Sequence, residues 1–481
     1  MAYKYGNREQ ITFLPESIES YVTDEDPVRV YDAFIDALDL KELGVDVNED
    51  AVGNSSYDPS VMLKILVYGY SYGWRSSRKL ERALHHNLSF IWLAGGLKPD
   101  HKTIANFRKD NKQALKNILK QCARLCLKLK LIEGNTLFVD GSKFRANAGK
   151  SQTKTIEGWE TYRKHVEKQI EKLLDECQQL DESEKESLVR VNKELKGKKA
   201  LKSKIDQLLE EINESEPKPS QKDRNVNGTD PDCKIMKGRQ GSHASYNNQM
   251  IVDDEHGLIV SMEATTATND LNQLKIQITQ GEEVLEKPAE IVCADAGYSS
   301  VEDLKTLVDQ RKVVVVPNNS QAQKTPKNPF SKDAFKYNEA ADTYTCPVGE
   351  EFFRTNRIDD RNRYEYRMTK STSCRGCIHF GNCTSAKTGR RLYRLVNEET
   401  KMELERIYES QEGQEIYRRR KMRVEHPFGH IKRNLGVGAF LLRGLEGVNA
   451  EINMLGTCFN IARMISILGG VKPAIARLKQ A

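Results

Sequence analysis

The sequence predicts an α/β protein in which short strands form a mixed sheet and amphipathic helices pack around it. Two stretches, residues 136–147 and 289–300, share one pattern: a short apolar run, then an aspartate, then a glycine. Apolar runs bounded by turn residues are typical of buried strands. A third stretch, residues 417–432, has helical periodicity and many cations. We therefore expect acidic side chains at the ends of core strands and a charged helix late in the chain.

The composition bounds the number of modules and the class of protein. The chain has 481 residues, more than one ordinary core accommodates, so we expect about two to four modules. Hydrophobic residues make up 38% and charged residues 30%, as in globular proteins with charged helices. No apolar run has membrane-spanning length, and the first residues lack a signal core, so we expect a cytoplasmic protein without a membrane partner. A net charge of +6 does not by itself indicate nucleic-acid binding.

Asp140 follows the apolar residues 137–139 and precedes Gly141 and Ser142. Glycine and serine indicate a turn, so the pattern predicts a strand that ends on Asp140. A carboxylate at that position is held rigidly and faces outward, which suits a metal ligand or a catalytic acid. The alternative is an Asx turn that only closes the strand.

Asp295 repeats this pattern after the apolar residues 289–294, with Gly297 close behind. Ser299 or Ser300 is a plausible cap for the helix that follows, because acidic residues fall in its first turn. The sequence therefore predicts a second aspartate at the end of a strand.

Glu425 is an acid among cations on the predicted helix of residues 417–432. Residues 418–423 include five cations, a run that a solvated helix face would also explain. Its position beside Glu425 favours contact with phosphate. We expect a kink or a new helix start at Pro427, since proline clashes with the carbonyl of the preceding turn. Four residues share the helical face of this acid: Tyr417, Lys421, Phe428 and Lys432.

Two aspartates after strands and one glutamate on a late helix fit a known metal chemistry. Magnesium prefers oxygen ligands and takes only a few carboxylates, which leaves positions for water and phosphate. A pair of such ions can activate an attacking hydroxyl and stabilise a leaving oxygen on phosphorus. Asp140, Asp295 and Glu425 are therefore the candidate ligands.

These stretches resemble those of bacterial insertion-sequence transposases, which carry a DDE triad on a ribonuclease-H-like fold. Asp140, Asp295 and Glu425 match the three acids of that triad, and the resemblance extends across nearly the whole chain. It implies a transposase that cleaves double-stranded DNA at transposon ends and joins those ends to target DNA. It also implies two catalytic Mg²⁺ ions, which Mn²⁺ can replace, and a homodimer on the DNA ends.

Residues 417–432 resemble the tyrosine–arginine–glutamate–lysine signature of the same group. The spacing from Glu425 to Lys432 fits. The spacing from Tyr417 to Glu425 is one residue longer than usual, and Lys421 stands where an arginine is expected. The resemblance implies that residues around the acid contact DNA. The candidates are Tyr417, Arg420, Lys421 and Lys432.

Residues 1–131 form a predicted helical module that resembles the N-terminal domain of that group. Short amphipathic helices joined by tight turns, with cations nearby, resemble a helix-turn-helix DNA-binding module. The alternative is a plain helical bundle packed on the catalytic core. Helices are expected near residues 27–38, 58–72, 77–84 and 110–131, and a turn at residues 99–103 is expected to precede residues 104–108. The cations are Arg75, Lys102, Arg108 and the two candidate DNA contacts Arg78 and Lys79.

The predicted catalytic core comprises residues 132–151, 221–316 and 399–481. Its elements follow the order strand, strand, strand, helix, strand, helix, strand, which is the ribonuclease-H-like order. We expect a cationic loop at residues 229–241 and a helix capped by Asp270. The remaining expected elements are a hairpin at 246–263, a strand at 313–316 and a closing core helix at 449–468.

Residues 152–220 predict a helical hairpin inserted into the core, because two charged segments each carry an apolar stripe. Bends are expected at residues 181–183 and at Gly197, and a proline-containing linker at 214–220. We interpret the hairpin as a structural arm. The alternative is contact with another subunit or with a DNA end.

Residues 317–398 predict a small β insertion that binds a metal. Too small to hold a core of its own, such an insertion gains folding energy from metal, and C-x2-C is the spacing of a tetrahedral thiolate site. Structural Zn²⁺ is the first expectation. An iron–sulfur cluster is the second, since four thiolates also suit it. The four candidate ligands are Cys346, Cys374, Cys377 and Cys383.

Two rival functions are weighed against transposition. The first is a nuclease of the same fold that does not transfer strands. The second is a DNA-binding protein with a catalytically silent core, against which the presence of all three acids argues.

Overall fold

The computed structural model describes residues 17–45, 57–179, 185–214, 225–238, 241–323, 329–359 and 362–480. Contacts between residues divide the chain into two compact units. The first unit contains the described residues up to Asp270, Gln277–Ala289 and the described residues from Lys421 onward. The second contains Leu271–Ile276 and Glu290–Arg420. The expected bend at 181–183 and the linker at 215–220 lie outside the described residues, and the predicted domain boundaries stay a prediction.

Helices dominate the described part of the chain. The α-helices are α1 (Val28–Asp36), α2 (Leu40–Leu43), α3 (Pro59–Ser71), α4 (Ser77–His86), α5 (Leu88–Leu93), α6 (His101–Asp110), α7 (Lys112–Lys128), α8 (Ile156–Gln179), α9 (Lys185–Glu214), α10 (Leu274–Leu285), α11 (Val301–Asp309), α12 (Asn319–Gln323), α13 (Ser371–Arg375), α14 (Glu398–Glu409), α15 (Gln411–Gly429), α16 (Gly444–Ile467) and α17 (Val471–Leu478). A π-helical turn follows α15 at His430–Asn434, and 3-10 turns lie at Ile18–Tyr21, Lys150–Gln152, Ala296–Tyr298 and Lys332–Ala334.

The strands are short apart from two in the first unit. They are β1 (Thr136–Arg145), β2 (Thr153–Thr155), β3 (Asn225–Asn227), β4 (Lys234–Gly238), β5 (Gly241–Asp253), β6 (Ile259–Thr265), β7 (Ile291–Cys293), β8 (Val313–Val315), β9 (Lys336–Asn338), β10 (Thr343–Thr345), β11 (Glu351–Ile358), β12 (Arg363–Arg367) and β13 (Arg391–Leu395).

The N-terminal helices begin where aspartates cap them. Asp58 accepts a hydrogen bond from the Ser60 amide at 2.8 Å, and Asp100 accepts one from the Thr103 amide at 2.7 Å. Each satisfies an amide that the first turn leaves without a helical partner. The helix start at Asp58 was predicted and is confirmed. At residues 99–103 a turn was expected, and α6 instead begins at His101. In α4 the N-cap position is Ser76, and Ser77 is the first helical residue.

In the first unit, β5 is the strand that pairs with the most others. It pairs antiparallel with β1, β4 and β6. In the register with β1, Met250 lies opposite Asp140 and Gln249 lies opposite Gly141. The hairpin of β5 and β6 was predicted and is confirmed, with β5 extended toward its N-terminal end.

In the second unit, β7 and β8 form a parallel pair, with α11 between them in the chain. The insertion forms a separate five-stranded antiparallel sheet in the order β13-β12-β11-β10-β9. Antiparallel and parallel pairs thus both occur. The chain order β1, β5, β6, α10, β7, α11, β8 is the predicted ribonuclease-H-like order, and the mixed α/β fold class is confirmed.

Four local expectations are wrong, and one of the two alternatives expected at Pro427 does not occur. β1 does not end on Asp140 but runs on to Arg145, because residues 141–145 continue to pair with β5. Gly197 makes no bend, since α9 is continuous. The expected cationic loop contains strand β4, and the helix expected at Asp270 begins at Leu274. No new helix starts at Pro427: α15 runs through it to Gly429.

The closing helix α16 was predicted and covers strand β6. Its Asn449 side chain accepts a hydrogen bond from the Ala264 amide, and Asn460 accepts one from the Ile259 amide, both at 2.8 Å. Polar side chains thereby satisfy backbone groups of that strand, which would otherwise be unpaired. In the described chain no single helix is long and apolar enough to cross a membrane; α16 and α17 meet that criterion only as a pair bent by 110°.

Candidate active site

Asp140 lies in the middle of β1, half-buried. Side chains alternate between the two faces of a strand, so Asp140, Ser142 and Phe144 share one face. Phe144 is buried there against Phe440, with ring centroids 5.6 Å apart. The predicted carboxylate is therefore held by a long paired strand rather than by a turn.

Lys432 fixes the end of the late helical segment to this face of β1. Its Nζ donates hydrogen bonds to Ser142 Oγ at 2.6 Å and to the Lys143 carbonyl at 3.0 Å. The same ammonium lies 4.4 Å from the centroid of the Phe144 ring. A charged donor with two acceptors and an aromatic face is held in one place, two residues along the strand from Asp140.

Glu425 precedes Lys432 by seven residues, and the π-helical turn His430–Asn434 begins between them. Between them Phe428 is buried and packs against Phe144, with centroids 6.1 Å apart. The Glu425 side chain itself is exposed. Phe428 and Lys432 thus hold this segment against β1, and the Glu425 carboxylate, three residues before Phe428, is open to solvent.

Asp295 belongs to the second unit and lies two residues beyond β7. Its Oδ1 accepts a hydrogen bond from the Gly297 amide at 2.8 Å, which caps the 3-10 turn Ala296–Tyr298. Its Oδ2 lies 3.7 Å from an Arg420 guanidinium nitrogen, and its side chain is 42% exposed. The predicted position of this aspartate after a strand is confirmed, its capping of the 3-10 turn was not predicted, and one side of the carboxylate is accessible.

Arg420 lies beside Asp295, and Tyr417 lies beside Arg420. Arg420 is buried and its guanidinium lies 5.7 Å from the centroid of the Tyr417 ring. Tyr417 packs edge-on against Tyr408, with centroids 5.2 Å apart. The pKa of Tyr417 is raised, chiefly because burial disfavours the phenolate, while the guanidinium of Arg420 opposes this. Arg420, three residues after Tyr417, therefore has a partner in Asp295, whereas Lys421 is exposed.

The candidate DNA contacts Arg78 and Lys79 are exposed on α4. The other cations near them include two with structural roles. Arg75 donates to the Ala439 carbonyl at 2.8 Å and lies 2.5 Å from a carboxylate oxygen of the fully buried Glu451. Arg108 is buried and donates to the Arg75 carbonyl at 2.7 Å. These two arginines therefore hold parts of the first unit together.

Asp270 is a residue that the sequence pattern assigned incorrectly. Its Oδ1 accepts hydrogen bonds from Asn247 Nδ2 at 2.8 Å and from Gln249 Nε2 at 2.7 Å. A Cβ added at Gly141 would meet that same oxygen at 2.4 Å. Asp270 therefore covers Gly141 on the face of β1 opposite to the Asp140 side chain, in place of capping a helix. An Asn-Asp pair is an ordinary cap signal, and nothing local distinguishes the two uses.

The four candidate cysteines of the insertion line one cavity of about 320 Å³. Its other walls are mainly aromatic and aliphatic, and Arg390 contributes a cation. The pKa of Cys383 is raised, first by burial; Arg390 opposes this shift, and the three other cysteines add to it. The four thiols are thus within electrostatic reach of one another. Among the described residues, however, no three His, Cys, Asp or Glu side chains are arranged closely enough to hold a metal ion.

Two family models match this chain. Residues 16–110 match a model described as a transposase domain (DUF772), and residues 345–465 match one described as a transposase DDE domain. The chain is a DDE-type transposase. It is an enzyme that acts on DNA, its function is DNA transposition, and its DDE domain uses a divalent metal, Mg²⁺. The second match contains Glu425 and Lys432, whereas Asp140 and Asp295 lie outside both matched segments.

Other comparisons add little to this assignment. No curated protein matches the transposase chain. A solved structure, the cryo-EM structure of a piggyBac transposase synaptic complex with hairpin DNA, aligns with 95% of this chain and 79% of its own. The sequence identity is 11% and the TM-score is 0.33. The fold assignment accordingly depends on the order and pairing of the elements described above.

Proposed function

We propose that Asp140, Asp295 and Glu425 bind the divalent ions with which this transposase cuts and joins DNA. The observation that carries the proposal is the contact of Lys432 with Ser142, because it fixes the helix of Glu425 against the strand of Asp140. The match to a DDE domain supports the choice of acids around this contact. Convergence of Asp295 with the other two acids is part of the proposal.

The donor set fits magnesium. All three side chains offer carboxylate oxygens, the ligands this ion prefers, and three acids leave positions for water and phosphate. Glu425 is exposed, and Asp295 has one accessible side. Two bound Mg²⁺ ions would activate the attacking oxygen and stabilise the leaving oxygen on phosphorus.

The reaction that we propose has two steps at phosphorus. Water attacks a phosphodiester at the transposon end, a P–O bond to the 3′ oxygen breaks, and a 3′-hydroxyl is released. That hydroxyl then attacks a phosphodiester of target DNA, and the target's own 3′ oxygen leaves. Each step forms one P–O bond and breaks another, so no redox partner or nucleotide is needed.

The cations around the acids have two proposed roles. Lys421 is exposed and would contact phosphate, and Lys432 would bind phosphate near the scissile bond from its place beside β1. Arg420 would act on Asp295, since it is buried beside that carboxylate. Tyr417 would stack or donate a hydrogen bond near the same position.

A strand-transfer assay tests the proposed reaction. Purified protein, a transposon-end duplex, a supercoiled target and Mg²⁺ should give both cleaved ends and joined products. Glu425→Gln should give neither, while its DNA binding stays intact because an exposed side chain of the same size is kept. Cleavage without joining by the unaltered protein would favour the nuclease alternative, and equal activity of Glu425→Gln would overturn the assignment of this acid.

We propose further that Cys346, Cys374, Cys377 and Cys383 bind one structural Zn²⁺. Support comes from the single cavity that they line and from the C-x2-C spacing. Elemental analysis should give one zinc per chain, lost in Cys377→Ser and retained in the control Cys233→Ala, whose thiol lies outside the insertion. Equal metal content in both variants would contradict the site. A brown protein that bleaches on oxidation would favour the iron–sulfur cluster.

We propose that two chains act together on a pair of DNA ends, since each transposition event joins two ends to one target. Light scattering of the protein with an end duplex should give the mass of two chains. A mass of one chain per duplex under conditions that support joining would contradict this.

We also propose a cytoplasmic location, because the described cysteines are all free thiols, as in a reducing compartment.

A further inference from the structure

The inserted hairpin is held together by two apolar clusters between α8 and α9. Near its base, Trp159 packs with Val166 and Leu208, and its indole NH donates to the Val226 carbonyl at 2.9 Å. The short pair of β2 and β3 closes the base. Farther out, a smaller cluster is formed by Leu173, Val191 and Leu195. These contacts fix which side of α9 faces α8 and which side faces solvent.

Charge is distributed unevenly along α9. Residues 190–204 contain seven cations and a single acid, Glu194. Residues 205–214 contain four acids and no cation. The cationic part is the half next to the tip of the hairpin, and the acidic part is the half next to its base.

Two of the seven cations face α8 and have partners there. Lys198 donates to Gln169 Oε1 at 2.7 Å, and Lys202 forms a 3.0 Å ion pair with Glu167. The other five are exposed, and in the described part of the chain none has a carboxylate within 4.0 Å. They are Arg190, Lys193, Lys196, Lys199 and Lys204.

Four of these cations, Arg190, Lys193, Lys196 and Lys199, recur every three residues; we call them the distal stripe. Like charges at this spacing are neighbours on a helix, and their repulsion destabilises it. The acids in the last turn of α9 are also at the unfavourable end of the helix dipole. The stability of the helix therefore does not explain this arrangement.

On the partner helix α8, exposed cations and acids alternate, as is usual for a solvent-facing helix surface. On α8 the exposed cations Lys164, Lys168 and Lys172 are interleaved with the exposed acids Glu160 and Glu171. The net charge of that face stays near zero. Because the same hairpin carries both surfaces, a general need for solubility does not account for the distal stripe.

We propose that the distal stripe binds the phosphate backbone of double-stranded DNA. It extends over nine residue steps, about 14 Å, a length over which duplex DNA carries about eight phosphate charges. Its members are three lysines and an arginine, cations that bind phosphate oxygens, so the contact that we propose is with the backbone. The inference rests on the proposed function, since it assigns a further surface to the same DNA.

A binding titration across salt concentrations tests this surface. Lys193→Gln/Lys196→Gln/Lys199→Gln removes three cations from the distal stripe, and Lys164→Gln/Lys168→Gln/Lys172→Gln removes three from α8 as the matched control. The stripe variant should lose about tenfold in affinity for a duplex at low salt, and its salt slope should fall by about 2 to 3. The control should change by less than about twofold. Because repulsion along α9 is relieved, the thermal midpoint of the stripe variant should stay equal or rise.

Equal losses in the stripe variant and the control would overturn the proposal, because net charge alone would then explain both. No loss in either would overturn it as well. If the triple variant does not fold, Lys196→Gln alone should reduce the salt slope by about one, and an unchanged slope would contradict the proposal. DNA binding by the unaltered protein separates the two levels: its absence contradicts the proposed function itself, whereas its presence with an unaffected stripe variant contradicts only the stripe.

Discussion

Asp140 and Asp295 follow the same sequence pattern, but they occupy different backbone settings. Asp140 lies in the middle of a ten-residue strand whose partner β5 continues past it. Asp295 lies beyond a three-residue strand and caps a 3-10 turn through the Gly297 amide. A glycine after an apolar run ends a strand only where no partner strand continues beside it. The pattern therefore locates a candidate acid more reliably than it locates the end of its strand.

The reason for the difference lies in residues far away in sequence. At Asp140, Gln249 lies opposite Gly141, and Asp270 closes over that glycine. The missing side chain makes room for the Asp270 carboxylate within a strand. At Asp295, the nearby Gly297 instead donates its amide to the carboxylate. Glycine thus serves close approach in one case and a turn in the other.

The largest expected effect is common to both aspartates. Asp140→Asn and Asp295→Asn keep shape but remove a charged ligand, and in Asp295→Asn the side-chain oxygen can still accept from Gly297. Loss of several kcal/mol of metal stabilisation predicts a fall in cleavage of about 10³-fold or more for each variant. DNA binding should persist. A cleavage assay beside a binding titration checks this, and normal cleavage by either variant would show that the shared pattern misled the assignment.

A substitution at Gly141 tests the close approach of Asp270 to β1, which has no counterpart at Asp295. In Gly141→Ala, the new Cβ would meet Asp270 Oδ1 at 2.4 Å and Gln249 Nε2 at 2.9 Å, so β1 or Asp270 must shift. We expect the free energy of unfolding to fall by about 1–3 kcal/mol, as for overpacking of a filled site. Denaturant unfolding measures it.

The control for that substitution is Gly238→Ala in β4. Its added Cβ has no neighbour closer than 3.7 Å, so stability should be unchanged or slightly raised. Equal destabilisation by the two variants would mean that loss of glycine, and not the approach of Asp270, sets the cost.

How far the sequence predicts this molecule depends on whether the deciding contact is local. The helix start at Asp58 was predicted, because the cap and its amide lie within two residues of one another. The length of β1 and the role of Asp270 were not predicted, because both depend on contacts with β5. The ion pair of Arg75 was not predicted either, since its partner Glu451 lies 376 residues away.

The smallest expected effect is the loss of stability on substitution of Lys432, compared with substitution of Lys421. Lys432→Met keeps the apolar stem over Phe144 but loses the hydrogen bonds to Ser142 and Lys143, so stability should fall by about 1 kcal/mol. The salt slope of DNA binding should also fall by about one if the lysine contacts phosphate. The control Lys421→Met changes an exposed cation on the same helix and should leave stability unchanged. Equal stability of both variants would contradict an anchoring role for Lys432.

Local cleavage of the protein by bound iron tests the central claim, that Asp140, Asp295 and Glu425 hold the same metal ions. Fe²⁺ placed in the site of Mg²⁺ generates hydroxyl radicals with ascorbate and peroxide, and these cut the nearest peptide backbone. The account predicts three cuts, near residues 140, 295 and 425, which excess Mg²⁺ suppresses and which Asp140→Asn abolishes together. Cuts near only one of the three acids, or a pattern that Asp140→Asn leaves intact, would contradict it.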